Sequence, residues 1–204
     1  MLLQISPSAH RHFILNKPYG YLSQFRSEAV KERRKRFLGE LHDFPPDTMA
    51  IGRLDEASEG LLLLTTDGRL SEQLRGPTIE KEYYAQLDGL LTPDALAQLR
   101  AGVRINRDGH DYHTRPARAE ALLPAPALWP RARAIRADRH GPTSWLALTL
   151  SEGKFRQVRQ MTAAVGLPTL RLVRVRVGPV RLSLDGPNGL PPGTCREVVS
   201  FFPI

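Results

Sequence analysis

Two short stretches hold the side chains that could do chemistry. The first runs from Gly52 to Gly60 as Gly-Arg-Leu-Asp-Glu-Ala-Ser-Glu-Gly, then continues through Leu61 to Leu64 into Thr-Thr-Asp-Gly. Asp55 lies in it, with Arg53 two residues before and Glu56 and Glu59 after. A carboxylate among arginines tends to stay ionised, because nearby opposite charge favours the charged form. An ionised carboxylate can serve as a nucleophile or as a base. Without context the same residues are a surface ion pair of little energetic consequence. The second stretch, Ser151 to Met161, gathers Lys154, Arg156, Gln157 and Arg159. A guanidinium there can fork onto a carboxylate or a phosphate, which lysine does less well.

These residues need elements to hold them. Leu61 to Leu64 is too brief for a lone helix, so the first stretch reads as a polar loop entering a buried strand. Asp55 then sits on a loop carried by a rigid element, both exposed and fixed. In the second stretch a helix starting at Phe155 puts Phe155, Val158, Met161, Thr162 and Val165 on one face and ends at Gly166. Arg159 flanks that face, and Arg156 points toward solvent. Lys81 to Leu87 reads as a strand with Tyr83 near its centre. Val173, Val175 and Val177 alternate with Arg174 and Arg176, a strand with one cationic side.

Elsewhere, Phe13 to Leu15 reads as a strand closed by the turn Asn16-Lys17-Pro18-Tyr19-Gly20. Arg69 to Arg75 is a short helical candidate. Thr92 caps a helix with Pro93 at its first position and Gly102 at its end. Trp145 to Leu150 and Val198 to Phe202 read as strands, the latter closing the sheet. Residues 106 to 117 read as a loop, whose His110 and His113 lack a third metal ligand at useful spacing. Pro124 to Pro142, with Arg131, Arg133, Arg136 and Arg139, reads as a surface insertion that either follows an RNA backbone or stays a solvated arm. Lys31 to Arg36 is open to the same two readings. The irregular mixture of strands and helices implies an α+β fold, a mixed and largely antiparallel sheet with flanking helices.

Composition narrows the partners. The 204 residues carry a formal net charge of +8, an excess that suits a polyanion such as nucleic acid. The single Cys195 excludes an intramolecular disulfide, consistent with a reducing cytoplasm. No stretch has the form of a secretion signal or the length of a membrane span.

Gly-Arg-Leu-Asp, two spacers, Ser-Glu-Gly-Leu-Leu-Leu-Leu-Thr and Asp-Gly resembles the signature of the pseudouridine synthases that act on ribosomal RNA. Asn16-Lys17-Pro18, Lys81-x-Tyr83 and Glu152-Gly-Lys-x-Arg-Gln-Val-Arg-x-Met resemble further motifs of that family, in the same order. The resemblance covers nearly the whole chain. It implies one catalytic domain over 1–204, in two sublobes with a bent sheet and a central cleft, and it is nearest the compact subgroup without an N-terminal S4 domain. Asp55 is then catalytic, Tyr83 lies against the target base and Arg159 pairs with Asp55. Arg53, Lys17, Lys154, Arg156, Gln157 and Arg174 are the expected RNA contacts. The subgroup further implies a uridine in 23S ribosomal RNA as substrate, a monomer, and no metal or other cofactor. Glu56-Ala57 departs from the charged pair common after the motif's Asp, which bears on substrate detail.

Isomerising uridine breaks an N-glycosidic bond and makes a carbon-carbon one, with no redox change. One carboxylate suffices, whereas glycosidases generally use two. A non-catalytic basic RNA-binding module and a nucleoside hydrolase are the alternatives; the first makes Asp55 dispensable, the second releases free uracil.

Overall fold

The computed structural model describes residues 10–32, 34–107, 109–134, 141–184 and 189–202. In chain order the elements are β1 (His12–Lys17), β2 (Met49–Ala50), β3 (Glu59–Thr65), α1 (Gly68–Arg75), β4 (Lys81–Asp88), α2 (Pro93–Ala101) and β5 (Arg104–Arg107). Then follow β6 (His110–His113), β7 (Arg118–Ala121), β8 (Thr143–Leu150), α3 (Gln157–Ala164), β9 (Thr169–Val177), β10 (Val180–Arg181) and β11 (Cys195–Val198). The main sheet runs β11-β1-β3-β9-β4-β8-β7, with β2 against β3 and β10 against β9. This is the expected α+β arrangement, a mixed and mainly antiparallel sheet.

The one parallel pairing in that sheet, among the described residues, is β3 with β9. It consists of Glu59 opposite Val173 and Gly60 opposite Arg174. Gly60 has φ of 101°, and a side chain there would collide with the Arg174 backbone. The seam therefore requires glycine. It joins an antiparallel β11-β1-β3 half to an antiparallel β9-β4-β8-β7 half.

Every residue of β3 is buried. Leu61 and Leu63 pack with Leu74 of α1 and with Leu182, whereas Leu62 and Leu64 pack with Phe13, Leu15 and Leu38. Burial on both faces explains the unbroken leucine run, since a strand with one wet face would alternate. On the other half, Ala85, Leu87, Leu146, Leu148 and Leu172 meet Leu99 of α2 and Val158 and Met161 of α3. Asp67 caps α1 by accepting from the Arg69 and Leu70 amides, and Thr92 caps α2 by accepting from the Ala95 amide.

Four sequence expectations change. Residues 106–117 are a loop only from 114 to 117, because β5 and β6 before it form a hairpin whose Ile105 and Tyr112 pack against the core. The last strand is Cys195–Val198, paired with β1, and Phe201 beyond it drops into the core. Helix α3 starts at Gln157, because Arg156 takes a left-handed conformation with φ of 49° and ψ of 30°. Phe155 thereby leaves the apolar face and is 76% exposed.

The fourth concerns the proline-rich insertion. Its described part is neither a solvated arm nor a free basic track. Trp129 Nε1 donates to Glu59 Oε2 at 2.6 Å, and Arg131 donates to Gln86 Oε1 and the Leu170 carbonyl at 3.0 and 2.6 Å. Arg171 completes the anchor with a two-pronged ion pair to Glu59, both bonds at 2.9 Å and both side chains buried. Residues 124–134 thus form a strap pinned to the sheet. Arg136 and Arg139 lie outside the described residues. In the charge run, Lys35 pairs with Glu56 at 2.7 Å and Arg36 stacks over Tyr21 at 4.2 Å, while Lys31 and Arg34 face solvent; Arg33 lies outside the described residues.

Candidate active site

The Asp55 loop is fixed from behind. Ser23 Oγ accepts the Leu54 amide at 2.9 Å and donates to the Leu54 carbonyl at 2.8 Å, clamping the residue just before Asp55. The Ser58 amide donates back to the Asp55 carbonyl at 3.0 Å, closing a turn, and the Gly20 amide donates to the Glu56 carbonyl at 2.8 Å. The Asn16–Gly20 turn is itself held by Lys17, whose Nζ donates to the carbonyls of Pro18 and Tyr21 at 2.9 and 2.7 Å.

Lys17 is therefore not an RNA contact: its side chain is fully buried. Burial, partly opposed by Glu59, lowers its pKa to about 7. Arg174 is corrected in the same way. It is buried, with Nε donating to the Leu61 carbonyl at 2.8 Å and Nη1 reaching the Arg53 carbonyl at 3.5 Å. Arg176, the other arginine on that strand, pairs with Glu80 and Glu82. Arg174 thus supports the loop from within and Arg176 is tied to Glu80 and Glu82 at and beside β4, so this side of β9 is engaged by the protein itself.

A cavity of about 270 Å³ opens in front of the loop. It is lined by Arg53, Asp55 and Ser58 on one side and by Tyr83, Glu152, Lys154, Phe155, Arg156 and Gln157 among others on the other. Asp55 comes from the β2–β3 connection, Tyr83 from β4, and the basic residues from the β8–α3 connection and α3. The structure thus brings Asp55, Tyr83 and Arg159 into one neighbourhood across the seam.

Two guanidiniums approach Asp55. Arg159 Nε lies 3.8 Å and Arg156 Nη1 3.5 Å from Oδ2. Arg159 is mostly buried and braced by the carbonyls of Ala57 and Thr169 at 3.0 and 3.2 Å. Its Nε is buried with no hydrogen-bond acceptor, a donor aimed toward Asp55 and just out of reach. Burial and the neighbouring Arg156 lower the Arg159 pKa, and Asp55 opposes that shift. Arg156 is half exposed. Arg53 is exposed at the cavity edge, and Lys154 lies 5.4 Å over the Tyr112 ring.

Gln157 faces inward, buried, and its amide is spent on the protein. Its Oε1 accepts the Lys154 amide at 2.9 Å and its Nε2 donates to Glu152. Glu152 also accepts from the Tyr112 hydroxyl and the Arg115 amide. Burial raises the Glu152 pKa, but these hydrogen bonds outweigh it and leave the pKa lowered. Of the two carboxylates lining the cavity, Glu152 is thus tied into the wall, while Asp55 faces the arginines. Glu56 and Glu59, the other nearby carboxylates, pair with Lys35 and Arg171.

Sequence reasoning did not single out Ser23, Glu152 or Tyr112. Glu152 carried a signal in its place within the Glu-Gly-Lys motif; Ser23 carried none, because its partner is distant in the chain. Among the described residues no group of three or more His, Cys, Asp or Glu side chains could hold a metal, and no helix is long and apolar enough to cross a membrane.

Residues 11–164 match the family model described as RNA pseudouridylate synthase, and the chain belongs to that family. It is an RNA-modifying isomerase by that membership. More narrowly, it is 49% identical over 176 residues to the ribosomal large subunit pseudouridine synthase E of Xanthomonas axonopodis pv. citri, covering 85% of this chain and 89% of that protein. The protein of the same name from Vibrio parahaemolyticus is 43% identical over 189 residues, 91% of this chain and 72% of that one. A crystal structure of a pseudouridylate synthase superposes with a TM-score of 0.72 at 27% identity, over 93% of this chain and 70% of that one.

Proposed function

We propose that this chain isomerises a uridine of 23S ribosomal RNA to pseudouridine during large-subunit assembly, with Asp55 as the catalytic residue. It acts as a cytoplasmic monomer and requires no cofactor. One observation carries the reading: Asp55, the cavity carboxylate that is not tied into the wall, lies across from Tyr83 with the guanidiniums of Arg156 and Arg159 at 3.5 and 3.8 Å from its Oδ2. The target nucleotide leaves its stack, at a cost of a few kcal/mol that contacts to the RNA offset. Its ribose then meets Asp55 and its uracil meets Tyr83. The N1–C1′ bond breaks, the uracil turns, the C5–C1′ bond forms, the hydrogen on C5 leaves as a proton to solvent, and N1 takes up a proton, so that product and substrate are isomers. Attack at C1′ and removal of a sugar proton both need a carboxylate held in place, and Arg159, 3.8 Å from Oδ2, positions it. Arg53, Lys154 and Arg156, all reachable at the rim, are the RNA contacts.

The test is tritium release from a 23S transcript carrying 5-tritiated uridine. Wild type releases label, and Asp55→Asn binds the transcript but releases at least about a thousandfold more slowly. Wild-type binding with no release from 23S or 16S transcripts would instead leave a non-catalytic RNA-binding protein.

A further inference from the structure

Phe155 is 76% exposed at the rim of the Asp55 cavity, between Lys154 and Arg156. Its sequence position suits the apolar face of a helix, yet the left-handed Arg156 delays the helix and turns the ring outward. Strained backbone of this kind persists where the surroundings hold it, and it concentrates at functional sites. Here the holding is explicit. The Phe155 carbonyl accepts from Gln160 Nε2 at 2.8 Å. The Gln157 amide donates to the Lys154 carbonyl at 3.2 Å, and Gln157 Oε1 accepts the Lys154 amide. Gln157 is in turn tied to Glu152. A bare aromatic ring is thus presented on a stiff turn, flanked by two cations, beside the cavity that must receive a nucleotide.

We propose that Phe155 stacks on a base next to the target uridine, filling the space the uridine vacates when it enters the Asp55 cavity. This rests on the functional reading above. A planar apolar ring suits such a place, because every base has a π-face, and apolar side chains inserted at a base step hold nucleic acid open. Lys154 and Arg156 on either side neutralise the phosphates that bracket that base. Tyr83, inside the cavity, holds the extruded uracil. Phe155, at its rim, replaces that uracil in the stack.

Two measurements test this without relying on each other. Phe155→Trp places a fluorophore on an exposed position, where it does not disturb the core. Binding of a 23S transcript quenches its emission well beyond the change in wild type, whose tryptophans are Trp129 and Trp145. Phe155→Ala, in saturating excess over the tritiated transcript so that each RNA turns over once, releases label about tenfold or more slowly, and Phe155→Tyr restores the rate. Absence of extra quenching on a bound transcript overturns the proposal, and so does an unchanged rate for Phe155→Ala. If wild type itself releases no label, the isomerase reading fails, and the quenching alone decides whether Phe155 stacks on RNA.

Discussion

At the scale of single residues, Lys17 makes the sharpest prediction. Its pKa falls from its ordinary value to about 7 in the folded protein, chiefly through burial. Because the folded state binds fewer protons than the unfolded state between about pH 7 and pH 10, burying Lys17 costs most below that window and least above it. Lys17→Met removes the titration but strands the Pro18 and Tyr21 carbonyls. Melting of wild type and variant across that range is expected to show wild type gaining relative stability as pH rises; a pH-independent difference would mean that Lys17 does not titrate there. The sequence showed Asp55, Tyr83 and Arg159 because their motifs are local words. It could not show that Arg174 faces inward, since its partners, the Leu61 and Arg53 carbonyls, lie more than a hundred residues away; Lys17 bonds locally, to the Pro18 and Tyr21 carbonyls, but its burial depends on the rest of the fold closing over that turn.

At the scale of elements, the Thr92 cap, the glycine stops and the leucine run were legible, because each depends on neighbours in sequence. The start of α3 was not, since periodicity extended it to Phe155 and the hydrogen bonds of Gln157 and Gln160 end it sooner. The strap was also illegible: proline and arginine look solvated until Glu59, Gln86 and Arg171 are known to lie beneath them. Glu59→Gln leaves Arg171 buried without its counter-charge, and loss of one partner of such a pair costs about 3 kcal/mol or more. Urea unfolding of the variant is expected to show that loss. A shift below about 0.5 kcal/mol would mean that the strap is not bound through this pair.

At the scale of the whole molecule, the net charge of +8 suits a polyanion, but not every arginine near the cavity is available to one. Arg171, Arg174 and Arg176 hold the sheet together, leaving Arg53, Lys154 and Arg156 at the cavity rim. Arg53→Ala and Lys154→Ala should each reduce the slope of log affinity against log salt for a 23S transcript by about 0.7, the amount for one phosphate contact on a single strand. An unchanged slope would remove that residue from the interface. The seam between β3 and β9 divides the site: Asp55 belongs to one half of the sheet, Tyr83 and Arg159 to the other. The half bearing Asp55 is completed by β11, whose neighbourhood also receives the Asn16 side chain through the Leu190 carbonyl and exchanges backbone bonds with Asn16 through Gly193 and Thr194. On the ribosome, β11 emerges long after all three of these residues. A nascent chain therefore contains the whole chemical set before it contains the edge that steadies it.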